Sequence, residues 1–315
     1  MKLVSIPANP VPDNVVSGGL KTPDGVTLRY ARWAPPPGRK GTVCILQGRA
    51  EFIEKYYETV RDLRARGFAV ATFDWRGQGL SDRALRDRHK GHVRDFSQYV
   101  ADLDAFMEQV VLPDCPPPLF ALAHSMGAAV LISACHDGRR WFDRSVLSAP
   151  MIELPRHAFM HIAGPTARIL RLLGRGTAYV PSRNAHLNGG QAFIGNVLTS
   201  DPVRFARNAA VLEEEPKLAL GAPTISWADA AMRQMRKFAA PSYAGRIRQP
   251  MLLIAAGHDQ VVSTPAIETF GRNLLAGSHL IVAGSQHEIL MEQDRYRNQF
   301  WAAFDAFVPG SPLFG

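Results

Sequence analysis

Short runs of consecutive apolar residues alternate with longer amphipathic stretches along the first half of the chain. TVCILQ (42–47) precedes YYETVRDLRARG, FAVATFDW (68–75) precedes VRDFSQYVADLDAFMEQV, and LFALAH, ending at His124, precedes a run of small residues. Runs that are apolar at successive positions suit strands covered on both faces, and their alternation with helices of about ten or more residues predicts a largely parallel sheet. In the helix predicted over 93–111, Val93, Phe96, Val100, Leu103, Phe106 and Val110 recur at spacings of three and four, an apolar stripe for the core. Gly67 stands where the preceding helix needs a C-terminal cap. Upstream, VVSGGLK and VTLRYARW flank Asp24-Gly25, which predicts a hairpin and an antiparallel start to the sheet.

After one more strand pattern, SVLSAP (145–150), the rhythm stops. From Met151 to about Arg246 there are only helix-like pieces separated by glycines and prolines. Alternation resumes with PMLLIAAG (250–257), a helix over 265–276, HLIVAG (279–284) and a terminal helix through FWAAFDAFV. The expected organisation is one α/β core, residues 1–150 and 247–315, interrupted by a helical cap over 151–246. No internal repeat is present.

The length of 315 residues suits such a core with an insertion, and 46% apolar with 20% charged residues is the composition of a chain folded throughout. Thirty-six Lys and Arg against 28 Asp and Glu leave a charge of +8, so the surface attracts anions, with peripheral contact to an anionic membrane as one outlet. The arginines are scattered and no nucleic-acid module is recognisable, which argues against DNA or RNA as partner. Cys44, Cys115 and Cys135 are too few and too dispersed for a disulfide framework, and no C-x-x-C suggests a metal or redox site. A reducing, cytoplasmic setting is expected. The opening MKLVSIPANPVPDN is cut at Pro7 before it forms a signal-peptide core, and no apolar run reaches the length of a membrane span. Nothing in the pattern sets the oligomeric state.

Candidate chemistry begins at Ser125. It follows a buried strand directly and precedes Met126-Gly127-Ala128-Ala129, a strand–turn–helix arrangement suited to a nucleophilic serine, although Ala123 stands where G-x-S-x-G has its first glycine. A serine there also suits plain helix capping. A base and an orienting acid tip the balance, because a hydroxyl is a weak nucleophile until a histidine takes its proton. Asp259 in IAAGHDQVVS and His287 in AGSQHEILME each follow a predicted strand, in the order Ser, acid, His, at the sheet edge where ligand crevices form. His124 and His258, adjacent to the serine and the acid, are read as supporting residues. Acyl transfer further requires two N–H groups facing the developing oxyanion: one from Met126, after the nucleophile, and one from Arg49 in LQGRAEFIEKY, where Gly48 lets backbone approach substrate.

With these residues in place the sequence resembles the serine α/β-hydrolases (serine aminopeptidase-like hydrolases), specifically the lysophospholipase and monoacylglycerol lipase branch. QGRAEFIEKY, FDWRGQGLSDR, KGHVRDFSQYVADL, AHSMGA, LSAPM, AGHDQVV and SQHEILME carry the resemblance, together with the cap pieces LTSDPVRFARN and GAPTISWADAA. It implies an α/β-hydrolase fold, a mostly parallel eight-stranded sheet flanked by helices with a helical cap. It also implies Ser125, Asp259 and His287 as catalytic triad, Arg49 and Met126 as oxyanion donors, and Gln47, Gly48 and His124 beside the substrate. Gln47 departs from the histidine many relatives carry, and Ala123 from the glycine. Asp74 and Arg76 in the DWRGQGLSD loop are expected to be structural ion partners. The implied reaction is hydrolysis of a lipid or other acyl ester through an acyl-enzyme, without metal or organic cofactor. The cap pieces FMHIAG and RILRLLG, with Arg168, Arg171 and Arg175, suit an acyl chain and an anionic head group or membrane surface. Thioesterase, amidase and peptidase activity on the same triad, and a ligand-binding protein without turnover, are the alternatives.

Overall fold

The computed structural model describes residues 1–35, 40–155, 160–181 and 192–308, with the side chains of 160–163 excepted. Eight strands form one sheet: β1 Val15–Lys21, β2 Thr27–Trp33, β3 Thr42–Leu46, β4 Ala69–Phe73, β5 Leu119–His124, β6 Arg144–Ser148, β7 Met251–Ala256 and β8 Gly277–Val282. Their order is β1-β2-β4-β3-β5-β6-β7-β8, with β1–β2 and β2–β4 antiparallel and every other pair parallel. The expected hairpin, alternation and eight-stranded α/β-hydrolase sheet are all present.

Continuous apolarity in the central strands has its reason in two cores. Along β3, Cys44 and Leu46 join a cluster on one face while Val43 and Ile45 join the other. The first face carries the helices Ser97–Phe106 and Ser125–His136, the second the helices Tyr57–Ala65 and Asp294–Phe307. All six stripe residues from Val93 to Val110 are buried, but the regular helix begins at Ser97 rather than at residue 93 and passes at Met107–Val111 into a wider π turn. The first turn expected of the helix is instead loop, with Val93 and Phe96 packed in the same core. Gly67 ends the helix Tyr57–Ala65 at a φ of 94°, which a side chain would disfavour.

Between β6 and β7 the described residues form the helices Met160–Leu170, Pro202–Glu214 and Ile225–Phe238 and add no strand to the sheet. Local chemistry starts the latter two. Asp201 accepts from the Val203 and Arg204 N–H groups ahead of Pro202, and Thr224 accepts from Trp227 N–H. Trp227 and Phe238 insert into the first core. On the opposite side Arg204 and Arg207 close on Glu58, whose carboxyl is held down at about 2: burial opposes ionisation, and the arginines outweigh it.

The strand order reverses between β3 and β5, and loops leaving neighbouring strands in opposite directions open a crevice at the carboxyl edge. One side of that edge is fixed by Arg29 on β2, fully buried and bonded to both oxygens of Glu54 (2.7 and 2.8 Å) and to Asp74 (2.7 Å). Asp74 in turn accepts from the N–H groups of Ile53 and Leu80, so one ion cluster fastens both loops beside the crevice. Arg76 pairs with Asp24 and Asp102 in the same structural manner. Replacing Arg29 by Met strands two buried carboxylates, and the expected loss is about 3–5 kcal/mol of unfolding free energy. A denaturant midpoint equal to that of the unmodified chain would contradict this.

Candidate active site

Four loops at the carboxyl edge deliver the residues singled out from sequence. Ser125 takes a φ of 47° at the junction of β5 and the helix Ser125–His136, a conformation costly for a side-chain-bearing residue and held here by packing on every side. Gly127, two residues on, explains part of that packing: a Cβ there would stand 2.3 Å from the Leu46 carbonyl oxygen and 2.4 Å from that of Gln47. Ala123 meets no such obstacle and lies in β5, fully buried in the first core. The tight constraint therefore falls on the second glycine of the motif.

His287 follows β8 and bridges the other two groups. Its Nε2 lies 3.1 Å from Ser125 Oγ and its Nδ1 lies 2.8 Å from Asp259 Oδ2. The free carboxylate oxygen of Asp259 accepts from the Val261 and Val262 N–H groups at 2.8 and 2.9 Å. Burial works to raise the Asp259 pKa, but the His287 bond and charge and the two N–H donors outweigh it, and the group stays below its ordinary value. An ionised carboxylate at Nδ1 fixes the tautomer that leaves Nε2 free to accept the serine proton. Ser125 and His287 are both buried, whereas His258 is exposed.

Arg49 follows β3 in the loop beside the serine. The N–H groups on either side of its own are occupied, Gly48 by the Glu51 carboxylate and Ala50 by the Gln78 side chain, whereas the Arg49 N–H donates to no group among the described residues. The Met126 N–H sits in the first turn of its helix, where no helical acceptor exists. The Arg49 guanidinium is half-buried, donates to the Gly221 carbonyl and lies 5.2 Å from the Trp227 ring centroid. Arg49 thus ties the loop to the segment ahead of Ile225–Phe238. Gln47 is buried, its side-chain Nε2 donating to Thr72 Oγ1 at 3.2 Å and its main-chain carbonyl accepting from Trp75 Nε1, while its Oε1 has no partner among the described residues.

One residue that sequence reasoning passed over organises this site. Glu51 is buried and accepts from Gly48 N–H, from Tyr56 hydroxyl (2.7 Å), from Lys55 (2.9 Å) and from His124 Nδ1 (3.1 Å). Lys55 continues to Glu288, the neighbour of His287, at 2.6 Å, and His124 Nε2 lies 3.4 Å from the His287 carbonyl oxygen. Burial raises the Glu51 pKa and lowers that of His124, but at Glu51 the charges of Lys55 and then His124 outweigh it, and at His124 the charge and hydrogen bond of Glu51 do. Glu51 ends below and His124 above its ordinary value. The sequence signal was present in QGRAEFIEKY, where Glu51 and Lys55 sit four apart with Phe52 and Ile53 between them.

Comparison with known proteins places this geometry in context. Residues 37–294 match the family described as serine aminopeptidase, S33. Lysophospholipase L2 of Escherichia coli (strain K12) is 32% identical over 289 residues, 87% of this chain and 82% of that protein. A soluble variant of monoglyceride lipase from Saccharomyces cerevisiae, solved with a substrate analog, has a TM-score of 0.72 at 21% identity, covering 93% of this chain and 96% of its own. A thermostable carboxyl esterase from Bacillus coagulans reaches a TM-score of 0.75 at 18% identity, covering 95% and 99%. At these identities the solved structures establish the shared fold.

Glu51→Gln keeps the shape but removes the charge that holds Gly48, Lys55 and His124 together. The expected result is a folded protein whose kcat on an ester falls by about 10- to 100-fold with a much smaller change in KM, as small displacements of reacting groups produce. Unchanged kcat in a variant with native circular dichroism would refute the organising role.

Proposed function

The chain belongs to the serine aminopeptidase S33 family, and on that premise we propose that it is a serine-dependent carboxylic ester hydrolase acting on lysophospholipids or monoacylglycerols. The observation that carries the reading is His287 held between Ser125 Oγ and Asp259, 3.1 and 2.8 Å away, while the Arg49 N–H in the loop after β3 has no acceptor among the described residues. In this reading Ser125 attacks the ester carbonyl as His287 takes its proton, and the Arg49 and Met126 N–H groups receive the charge that develops on the carbonyl oxygen. Asp259 stabilises the imidazolium, which then protonates the departing alcohol. Water activated by His287 releases the acyl group from Ser125 and restores the free enzyme. His124 acts through its bonds to Glu51 and the His287 carbonyl, and Gly48 through backbone contact beside the ester.

The lipid substrate class draws on the named activity of the E. coli relative, which this chain matches over 82% of that protein's length. Residues 151–246 serve as the cap in this reading and select the acyl chain and head group. The exposed apolar residues Ile169, Leu172 and Leu173, flanked by Arg168 and Arg175, favour a lipid surface as the setting. Among the described residues no helix is long and apolar enough to cross a membrane, so such contact is peripheral in this reading. An aminopeptidase reading follows from the family description alone, and aminoacyl anilides in the substrate panel decide against or for it.

Ser125→Ala is expected to lower ester hydrolysis by roughly a thousandfold or more and to abolish labelling by a fluorophosphonate probe, with thermal stability retained. Long-chain monoacylglycerols and lysophospholipids should exceed short soluble esters and aminoacyl anilides in kcat/KM. Full activity in Ser125→Ala, or turnover restricted to anilides, would refute the assignment.

A further inference from the structure

A crevice of about 650 Å³ separates the β1–β2 turn and the loop after β4 from residues 171–177 and Ser226. Its lining includes four guanidinium groups, Arg76, Arg83, Arg94 and Arg171, against the carboxylates of Asp24 and Asp82. The charges are not equally free. Arg76 is consumed by Asp24 and Asp102, and Arg171 pairs with Asp229 at 2.8 Å. Asp82 accepts from the Thr27 N–H and forms no ion pair among the described residues. Arg94 is exposed on the rim.

Arg83 has no carboxylate partner among the described residues. Its Nη2 donates to the carbonyl oxygens of Gly79 and Lys217 at 2.8 and 3.2 Å, but Nε and Nη1 are buried without an acceptor. The neighbouring Arg88 also buries an unbonded Nε and adds a like charge. Burial, then repulsion from Arg88, brings the Arg83 pKa down to about 10, so the group remains cationic at neutral pH. A half-buried guanidinium with two donor nitrogens lacking an acceptor among the described residues, and a cation beside it, carries a desolvation cost that a bound anion would offset.

We propose that Arg83, with Arg94 at the rim, forms a binding site for a phosphate group in this crevice. A tetrahedral oxyanion offers several acceptor oxygens in different directions, which suits donors on separate guanidinium groups better than the two coplanar oxygens of a carboxylate. The phosphate comes either from the head group of a lysophospholipid substrate or from free phosphate bound as an effector. The first source rests on the ester-hydrolase reading above, and the site itself does not.

Two measurements on the full chain test the site. Inorganic phosphate, compared with chloride at equal ionic strength, should raise the melting temperature by about 2–4 °C, an effect lost in Arg83→Gln and reduced in Arg94→Gln, whose exposed side chain leaves folding untouched. In parallel, the ratio of kcat/KM for a 1-acyl-glycerol 3-phosphate to that for the matching monoacylglycerol is measured in the unmodified chain and both variants. A fall in that ratio of about tenfold, mainly through KM, assigns the site to the substrate head group. A phosphate-specific melting shift with an unchanged ratio assigns it to free phosphate. No phosphate-specific shift together with an unchanged ratio in both variants overturns the proposal. Absence of hydrolysis of either lipid would count against the ester-hydrolase reading, and the melting measurement would still decide the site.

Discussion

A single buried carboxylate holds the site in register. Glu51 sits in an apolar interior where an ionised group survives only with donors and cations around it, and the groups that satisfy it come from several parts of the site. Gly48 belongs to the loop that presents the Arg49 N–H, His124 precedes Ser125, and Lys55 leads to Glu288 beside His287. The loops are brought together because the charge cannot be left uncompensated. Electrostatic necessity thereby becomes geometric precision, since loosening any of these partners raises the cost of the buried charge for the others.

The sheet supplies the coarse placement that this network refines. Reversal of strand order between β3 and β5 parts the Gln47–Ala50 loop from the Ser125 turn by the width of a crevice, and β7 and β8 bring Asp259 and His287 to the same edge. Within that frame the serine turn is strained, and its tightness comes from Gly127 lying against two backbone carbonyls. The loop over residues 48–50 is anchored twice, inward through Glu51 and outward through the Arg49 side chain on Gly221 and Trp227. The position of the segment around Trp227 is consequently linked to that loop.

Much of this arrangement was legible in the chain because periodicity and order along the sequence are local signals. Continuous apolar runs announced strands covered on both faces, and Ser125, Asp259 and His287 each followed one in order. What escaped was long-range. The helix start at Ser97 shifted because Val93 and Phe96 reach the same core from a loop, which periodicity alone does not distinguish from a helical turn. Glu51 was passed over because its importance depends on partners up to 73 residues away. The Arg49 guanidinium turns toward Gly221, 172 residues further along the chain, a contact that no local pattern announces. Arg83 looked like one more scattered arginine until burial removed its alternatives.

The central claim is that Ser125, His287 and the two idle N–H groups converge on one reacting carbonyl. A crystal structure of the chain after reaction with a long-chain fluorophosphonate tests it most directly. The expected result is a phosphonyl group bonded to Ser125 Oγ, with its oxygen about 2.7–3.1 Å from both the Arg49 and Met126 nitrogens. An adduct on another residue, or an oxygen turned away from those N–H groups, would contradict it.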